Sequence, residues 1–195
     1  MDPRETKSRM RLAIKERFSR LSAKDRSSES RSLCRRILES LPQGPIALCA
    51  YYPLSDEADI LPLFGELQKR SSRIFMPAHD GGKLTFRAMT AIENIAIGEF
   101  GIPEPLRSAE ELKPDDLAIA LVPGRAFDCN GRRLGRGNGG YDAWIRRQRR
   151  ENPQAQFWGV ALECQIVQEI PVEAHDERMD ALITARGLKK CMDKK

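Results

Sequence analysis

Cysteine is sparse in this sequence and never closely spaced. Its five cysteines, Cys34, Cys49, Cys129, Cys164 and Cys191, form no C-x-x-C pair. An odd, dispersed set argues against a disulfide framework and against a zinc site, and fits plain thiols in a reducing compartment. Long hydrophobic runs are missing as well: no stretch approaches the roughly 20 apolar residues that span a bilayer. The opening segment MDPRETKSRMRLAIKERFSR carries charge throughout and has no apolar core of signal-peptide length. The expected compartment is therefore the cytoplasm or an organelle interior, with no membrane partner. Internal repeats and low-complexity tracts are also absent.

What is present suits a globular enzyme or binding protein. With 41% hydrophobic and 31% charged residues, 195 positions can build one sizeable core, so a single domain over residues 1–195 is expected. The formal net charge of +5 points to an anionic partner. Nucleic acid, nucleotide phosphates and polycarboxylate metabolites all qualify, and charge alone does not choose among them. The densest basic run, RRQRR at 146–150, lacks the interleaved aromatics on which nucleic-acid bases stack. Only Trp144 lies near, and it is expected to pack beneath its helix. A solvated helix face is the expectation there, not a nucleic-acid interface.

Hydrophobic spacing predicts helices over residues 4–20 and 24–40, with Met10, Ile14 and Phe18 recurring at helical intervals in the first. The breaker LPQGP precedes a predicted strand at 46–52, then a helix from Ile60 to Arg70. RIFMP and KLTFRAM read as strands, GIPEPL as a proline-stiffened loop, and DLAIALVP at 116–123 as the clearest buried strand. YDAWIRRQRR reads as a helix, FWGVAL and DALITA as the last strands, and 186–195 as a flexible polar tail. Strands alternating with helices predict a layered α/β fold with a mostly parallel sheet.

The stretch GRRLGRGNGGYD, residues 131–142, carries the chemical question. Glycine loses more backbone freedom on folding than any other residue, so a loop this rich in it needs a compensating ligand. Gly135, Gly137 and Gly140 satisfy G-x-G-x-x-G, yet the preceding strand ends well upstream, so the dinucleotide fingerprint fails. No G-K-[ST] follows, which removes the Walker loop. What remains is a loop whose amides converge on an anion at the start of a helix near Gly140 or Tyr141, with Arg132, Arg133 and Arg136 adding charge. Asp142 is out of place beside phosphate. A magnesium ion bridging it to phosphate oxygens would remove the conflict; alternatively, Asp142 merely stabilises the first turn of its own helix.

LVPGRAFDCNGRRLGRGNGGYDAW resembles the signature of the 5-formyltetrahydrofolate cyclo-ligase family, V-P-G-x-A-F-D-x-x-G-x-R-L-G-x-G-x-G-Y-Y-D. The likeness extends to YYPLSDEADILPL, GEFGIPEP, IPVEAHDERMDALIT and KSRMR, five blocks in the family's order over nearly the whole chain. The resemblance implies a Rossmann-like three-layer α/β/α fold with N-terminal helices. It also implies a reaction in which ATP and 5-formyltetrahydrofolate, with or without a polyglutamate tail, give 5,10-methenyltetrahydrofolate, ADP and phosphate. The formyl oxygen, a poor leaving group, would be phosphorylated first. A monomer is expected.

The same resemblance assigns residues. Lys7 and Arg11 match the amino-terminal phosphate contacts; Arg133, Leu134, Gly135, Arg136, Gly137, Asn138, Gly139, Gly140 and Tyr141 match the nucleotide loop. Arg136 to Gly140 should also border the folate, with Tyr52 and Glu57 on the substrate side. Arg133, Arg136 and Tyr141 are the implied catalytic groups, and Asp142 with Asp176 the implied Mg2+ carboxylates. Phe86 is a candidate apolar wall or a core residue, His175 is a neighbour of Asp176, and His79 is expected on a surface loop. Three positions depart from the pattern: Gly140 stands where the family has an aromatic, Asn138 where glycine or lysine is common, and Ile60 where it has threonine. Two further readings stay open, a divergent paralogue that binds with little turnover and a phosphosugar isomerase sharing the sheet; the isomerase would need neither ATP nor magnesium.

Overall fold

The computed structural model describes residues 2–89, 95–98 and 101–191. Two helices lead, α1 (Pro3–Ser19) and α2 (Ala23–Ser40). Asp2 caps α1 by accepting from the Arg4 amide at 2.9 Å, and Pro3 sits where its missing N–H costs nothing. Ser22 caps α2 in the same way, accepting from the Asp25 amide. Strand β1 (Ala47–Cys49), helix α3 (Pro62–Lys69) and strands β2 (Arg73–Asp80) and β3 (Lys83–Ala88) follow. A ribbon of β4 (Ile95–Ile97) and β5 (Pro103–Pro105) precedes the central strand β6 (Leu117–Val122). Short β7 (Ala126–Asp128) and β8 (Arg133–Leu134) lead to helix α4 (Gly140–Glu151). The chain closes with β9 (Gln156–Val160), β10 (Ile166–Val167), β11 (Ala181–Thr184) and β12 (Gly187–Lys190).

The main sheet has the order β12-β11-β9-β6-β1-β2-β3. Its five inner strands are parallel, and the two edge strands, β3 and β12, run antiparallel. Alternation along β6 shows why a parallel centre reads as one apolar run. Ile119 and Leu121 join a core built with α2 and α3, while Ala120 and Val122 join a second core with Trp144 and Ile145 of α4. Trp144 lies beneath α4 against Phe86 (4.2 Å between ring centroids) and Phe157 (5.7 Å). Truncating such a buried aromatic costs about 3–5 kcal/mol. The three layers expected from the resemblance are thus in place. Among the described residues no helix is long and apolar enough to cross a membrane.

Several expectations need correction. The strand predicted over 46–52 stops at Cys49; beyond it the Tyr51 hydroxyl donates to the Ala58 carbonyl at 2.9 Å, which holds the following segment off the sheet. The supposed loop GIPEPL contains β5, whose three residues pair antiparallel with β4. Within the supposed flexible tail, Gly187–Lys190 is the edge strand β12, paired along its length with β11. Residues 192–195, and Glu99 and Phe100 of the GEFGIPEP block, lie outside the described residues. His79 belongs to β2 rather than to a surface loop, and its side chain is largely buried. The RRQRR run is not merely solvated: Arg146 and Arg149 grip Glu177 at 3.0 and 2.9 Å, and Arg147 donates to the Leu84 carbonyl at 3.1 Å.

Candidate active site

The glycine loop leaves β8 and enters α4 through two left-handed residues, Gly137 (φ 106°) and Gly139 (φ 68°). Residues with a Cβ adopt this conformation only under strain, and it turns the chain so that α4 begins at Gly140. No side chain caps α4 at Gly139, so the first turn points its amides at the space before it. Asn138 has a local task, accepting from the Gly140 amide at 3.3 Å through Oδ1. The stem is tied down by Asp128, which is fully buried. Its carboxylate accepts from the amides of Asn130 (2.9 Å), Arg132 (3.1 Å) and Ile170 (2.9 Å).

Two cavities share this loop. One, of about 370 Å³, is lined by Lys7 and Arg11 of α1, Arg133, Arg136, the glycines, Asp142 and the segment Glu173–Asp176. The i, i+4 spacing does place Lys7 and Arg11 on one face of α1. Arg11 Nε donates to the Gly135 carbonyl at 2.9 Å. Lys7 is buried, with Nζ 2.6 Å from Asp176 Oδ2 and 2.9 Å from Glu173 Oε2. Burial alone would lower the Lys7 pKa, but hydrogen bonds and charge from Asp176 and Glu173 outweigh it and hold it above its ordinary value. Glu173 moves the other way, lowered chiefly by the hydrogen bond from Lys7.

Asp142 accepts from Arg133 Nη2 at 2.8 Å and from the Glu177 amide at 3.2 Å. Its two oxygens therefore link the glycine loop to the C-terminal segment. The structure brings Asp142 and Asp176, distant in sequence, to the same cavity. The tight group of potential ligand atoms is a different one: Glu173, His175 and Asp176 lie within 4.8 Å of one another, and Asp142 stands outside that group. Oxygen donors at Asp142, Asp176 and Glu173 suit a hard dication. Their charges are at present neutralised by Arg133 and Lys7, so a cation arriving with phosphate groups would be shared by exchange of partners.

The second cavity, of about 330 Å³, is mostly apolar, walled by Tyr51, Tyr52, Pro77, Leu84 and Tyr141 with Glu57 and His79 as polar points. Glu57 is nearly buried and keeps one oxygen on the Leu54 amide at 3.0 Å and the other on Arg136 at 3.1 Å. His79 is braced by Glu104, whose carboxylate meets its ring Nδ1 at 2.9 Å and its backbone amide at 3.0 Å. Burial, and then the Glu57 charge, push the Tyr141 phenol well up, so it keeps its proton at neutral pH. The ring packs edge-on to Phe86 and Trp144 and lies 5.5 Å from the Arg133 guanidinium. Phe86 is core behind this wall. Gly140 needs no left-handed backbone, and a Cβ there would meet Leu84 and Asn138 at an ordinary 3.8 Å, so the missing aromatic leaves space rather than relieving strain. Ile60, in place of threonine, is fully buried in the core beside α3.

Arg133, Gly135, Arg136 and Asn138 line both cavities. Sequence reasoning missed Glu173, which stands three places before Asp176, and Glu177, which α4 grips from a distance. It also passed over Asp56, beside Glu57, and Arg125, at the variable position of the V-P-G-x-A-F-D block. The first two had a visible signal in the acidic run VEAHDE. Arg125 and Asp56 meet only through the fold.

Comparison with known proteins places the chain in a family. The family model described as 5-formyltetrahydrofolate cyclo-ligase family matches residues 3–185. The 5-formyltetrahydrofolate cyclo-ligase of Mycolicibacterium smegmatis is 30% identical over 95% of this chain and 96% of its own length. The mouse (Mus musculus) protein of the same name is 26% identical over 89% of this chain and 91% of its own. Among solved structures, 5,10-methenyltetrahydrofolate synthetase from Aquifex aeolicus superposes with a TM-score of 0.79 at 30% identity, covering 97% of this chain and 94% of that one. With family model, relatives and fold in agreement, the chain belongs to the 5-formyltetrahydrofolate cyclo-ligase family.

Proposed function

We propose that this protein uses ATP to close 5-formyltetrahydrofolate into 5,10-methenyltetrahydrofolate, releasing ADP and phosphate. The observation that carries the reading is the shared loop: Arg133, Gly135, Arg136 and Asn138 face a basic cavity on one side and an apolar one on the other. A phosphoryl donor and its acceptor held in those cavities would meet across a single turn of backbone. Lys7, Arg11, Arg133 and the first-turn amides of α4 beyond Gly140 suit a triphosphate. Glu57, with two oxygens held in a fixed direction, suits the adjacent N–H donors of a pterin. Tyr52, Leu84 and Tyr141 supply apolar cover for the ring system.

In the reaction, the formyl oxygen attacks the γ-phosphorus and the bond to the ADP oxygen breaks. The oxygen, now a phosphate ester, leaves as inorganic phosphate when N10 of the folate bonds to the formyl carbon, and the N10 proton passes to the departing phosphate. The protein's own contribution is alignment and charge neutralisation. Arg133 and Arg136 stand at the seam where charge develops, and Tyr141 serves as a wall rather than as a proton carrier. Asp142 and Asp176 would hold Mg2+, which supplies further neutralisation of phosphate oxygens when bound. The test is incubation of the purified chain with 5-formyltetrahydrofolate, ATP and magnesium. Methenyl absorbance that depends on all three is expected; its absence with a folded protein overturns the reading.

A further inference from the structure

Charge is crowded where the two cavities meet. The Arg125 guanidinium lies close enough to Arg136 and Arg11 that burial, and then those two charges, lower its pKa. Asp56 answers two of the three cations at once: Oδ2 pairs with Arg125 and Oδ1 with Arg136. The Asp56 carboxylate is 20% exposed, so both contacts are screened only in part. Arg125 is itself fixed to the loop stem, its amide donating to the Leu134 carbonyl at 2.7 Å. Arg136 reaches on from Asp56 to Glu57, at 3.1 Å. Neither Asp56 nor Arg125 has a part in the reaction as described above.

We propose that Asp56, braced by Arg125, is a positioning residue that holds Arg136 on the substrate side of the seam, against Glu57. Arg136 belongs to the glycine loop and lines both cavities. A long guanidinium chain at such a boundary is drawn to the strongest anion within reach, and with nucleotide present that anion is phosphate. Asp56 supplies the competing anion. Removing its charge also leaves Arg125 repelling Arg136 with Glu57 as the remaining anion on Arg136, which weakens the hold on Arg136 where phosphate competes for it. Glu57 then loses the donor that fixes one of its oxygens and must be ordered by the incoming substrate instead. The naming of the substrate side as the folate side rests on the function proposed above.

Asp56→Asn is expected to raise KM for 5-formyltetrahydrofolate about tenfold while KM for ATP changes less than about twofold. Asp56→Glu should restore the folate KM to within about threefold, and Arg125→Gln should shift it in the same direction by less. The double variant Asp56→Asn/Arg125→Gln should be no worse than Asp56→Asn alone, because both act through Arg136. Equal rises in both KM values, or an unchanged folate KM, would overturn the proposal. Hydrogen exchange on the unliganded protein decides the brace without turnover: amides 135–139 should exchange faster in Asp56→Asn, and unchanged rates would remove it. A wild-type protein that exchanges as expected but makes no methenyl product would defeat the proposed reaction and leave the brace standing. If Asp56→Asn does not fold, Arg125→Gln carries both measurements.

Discussion

The two cavities on either side of the glycine loop are built by opposite means. The basic one is a balance of charges: Lys7 against Asp176 and Glu173, Arg133 against Asp142. Lys7 and Arg133 already have carboxylates, so an incoming anion would have to win them away, whereas Arg11 is held by the Gly135 carbonyl. The apolar one is an extension of the core, with Tyr141 packed on Phe86 and Trp144; Glu57 and His79 add polar points, and Arg133, Arg136 and Asn138 reach it from the shared loop. Its shape is set by packing before any ligand comes. The first side is accordingly sensitive to single charges and to pH, and the second to volume.

The largest effect should come from breaking the basic side at its centre. Asp142→Asn removes an implied metal carboxylate and also leaves the buried Arg133 without its partner. Turnover should fall by about 10²–10³, and the loss of a buried pair should cost about 3 kcal/mol, lowering Tm by roughly 6–12 °C. Steady-state kinetics and thermal melting check the two parts separately. A variant with full activity would remove Asp142 from the metal site.

A mirrored pair of substitutions sharpens the contrast at smaller amplitude. Lys7→Ala should raise KM for ATP by about tenfold or more and the folate KM by less than about twofold. Glu57→Gln should do the reverse. Equal effects on both substrates in either variant would mean that the cavities are not divided as described.

Proton titration separates the sides as well. Lys7 has a pKa raised above 10.5 in the folded state, so its stabilising contribution is complete below that value and is lost as pH climbs through the higher, folded one. Glu173 is lowered below 4.5, so its contribution is present above that value and is lost as pH falls through the lower one. The pair is intact through the neutral range. Melting followed from pH 7 downward should show an acid-side loss in the wild type that is diminished in Lys7→Ala.

The smallest expected effect compares neighbours in the loop. Gly140→Ala fits an ordinary helical backbone with free space and should stabilise by about 0.4–1 kcal/mol. Gly139→Ala, at φ 68°, should destabilise by about 1 kcal/mol or more. Denaturant midpoints decide it, and similar shifts in both would contradict the loop geometry.

Much of this was legible in the chain. The run LAIALV at 117–122 is buried on both faces and reads as a strand because both faces are core. Ser22 and the Asp2-Pro3 pair mark helix starts by local chemistry alone. β5 was hidden because two of its three residues are prolines, which lack an N–H, and its pairing is supplied by a partner strand upstream. β12 was hidden because Leu188 is its only apolar residue beyond the glycine; alignment with β11, not hydrophobicity, makes it a strand. In the site, residues inside the signature could be named from their block. The pairings of Glu104 with His79 and of Arg125 with Asp56 could not, although Glu104 and Arg125 lie inside quoted blocks, since each joins segments whose separation in sequence carries no period or motif.

Helix α4 also ties the C-terminal acidic segment to the glycine loop. Asp142 on its first turn holds the Glu177 amide, and Arg146 and Arg149 farther along hold the Glu177 side chain. The acidic segment that lines the basic cavity is therefore clamped, through the adjoining Glu177, to the same rod whose first turn lines the opposite side. Like a caliper locked at one setting, the opening takes its gape from where these contacts fall along the helix.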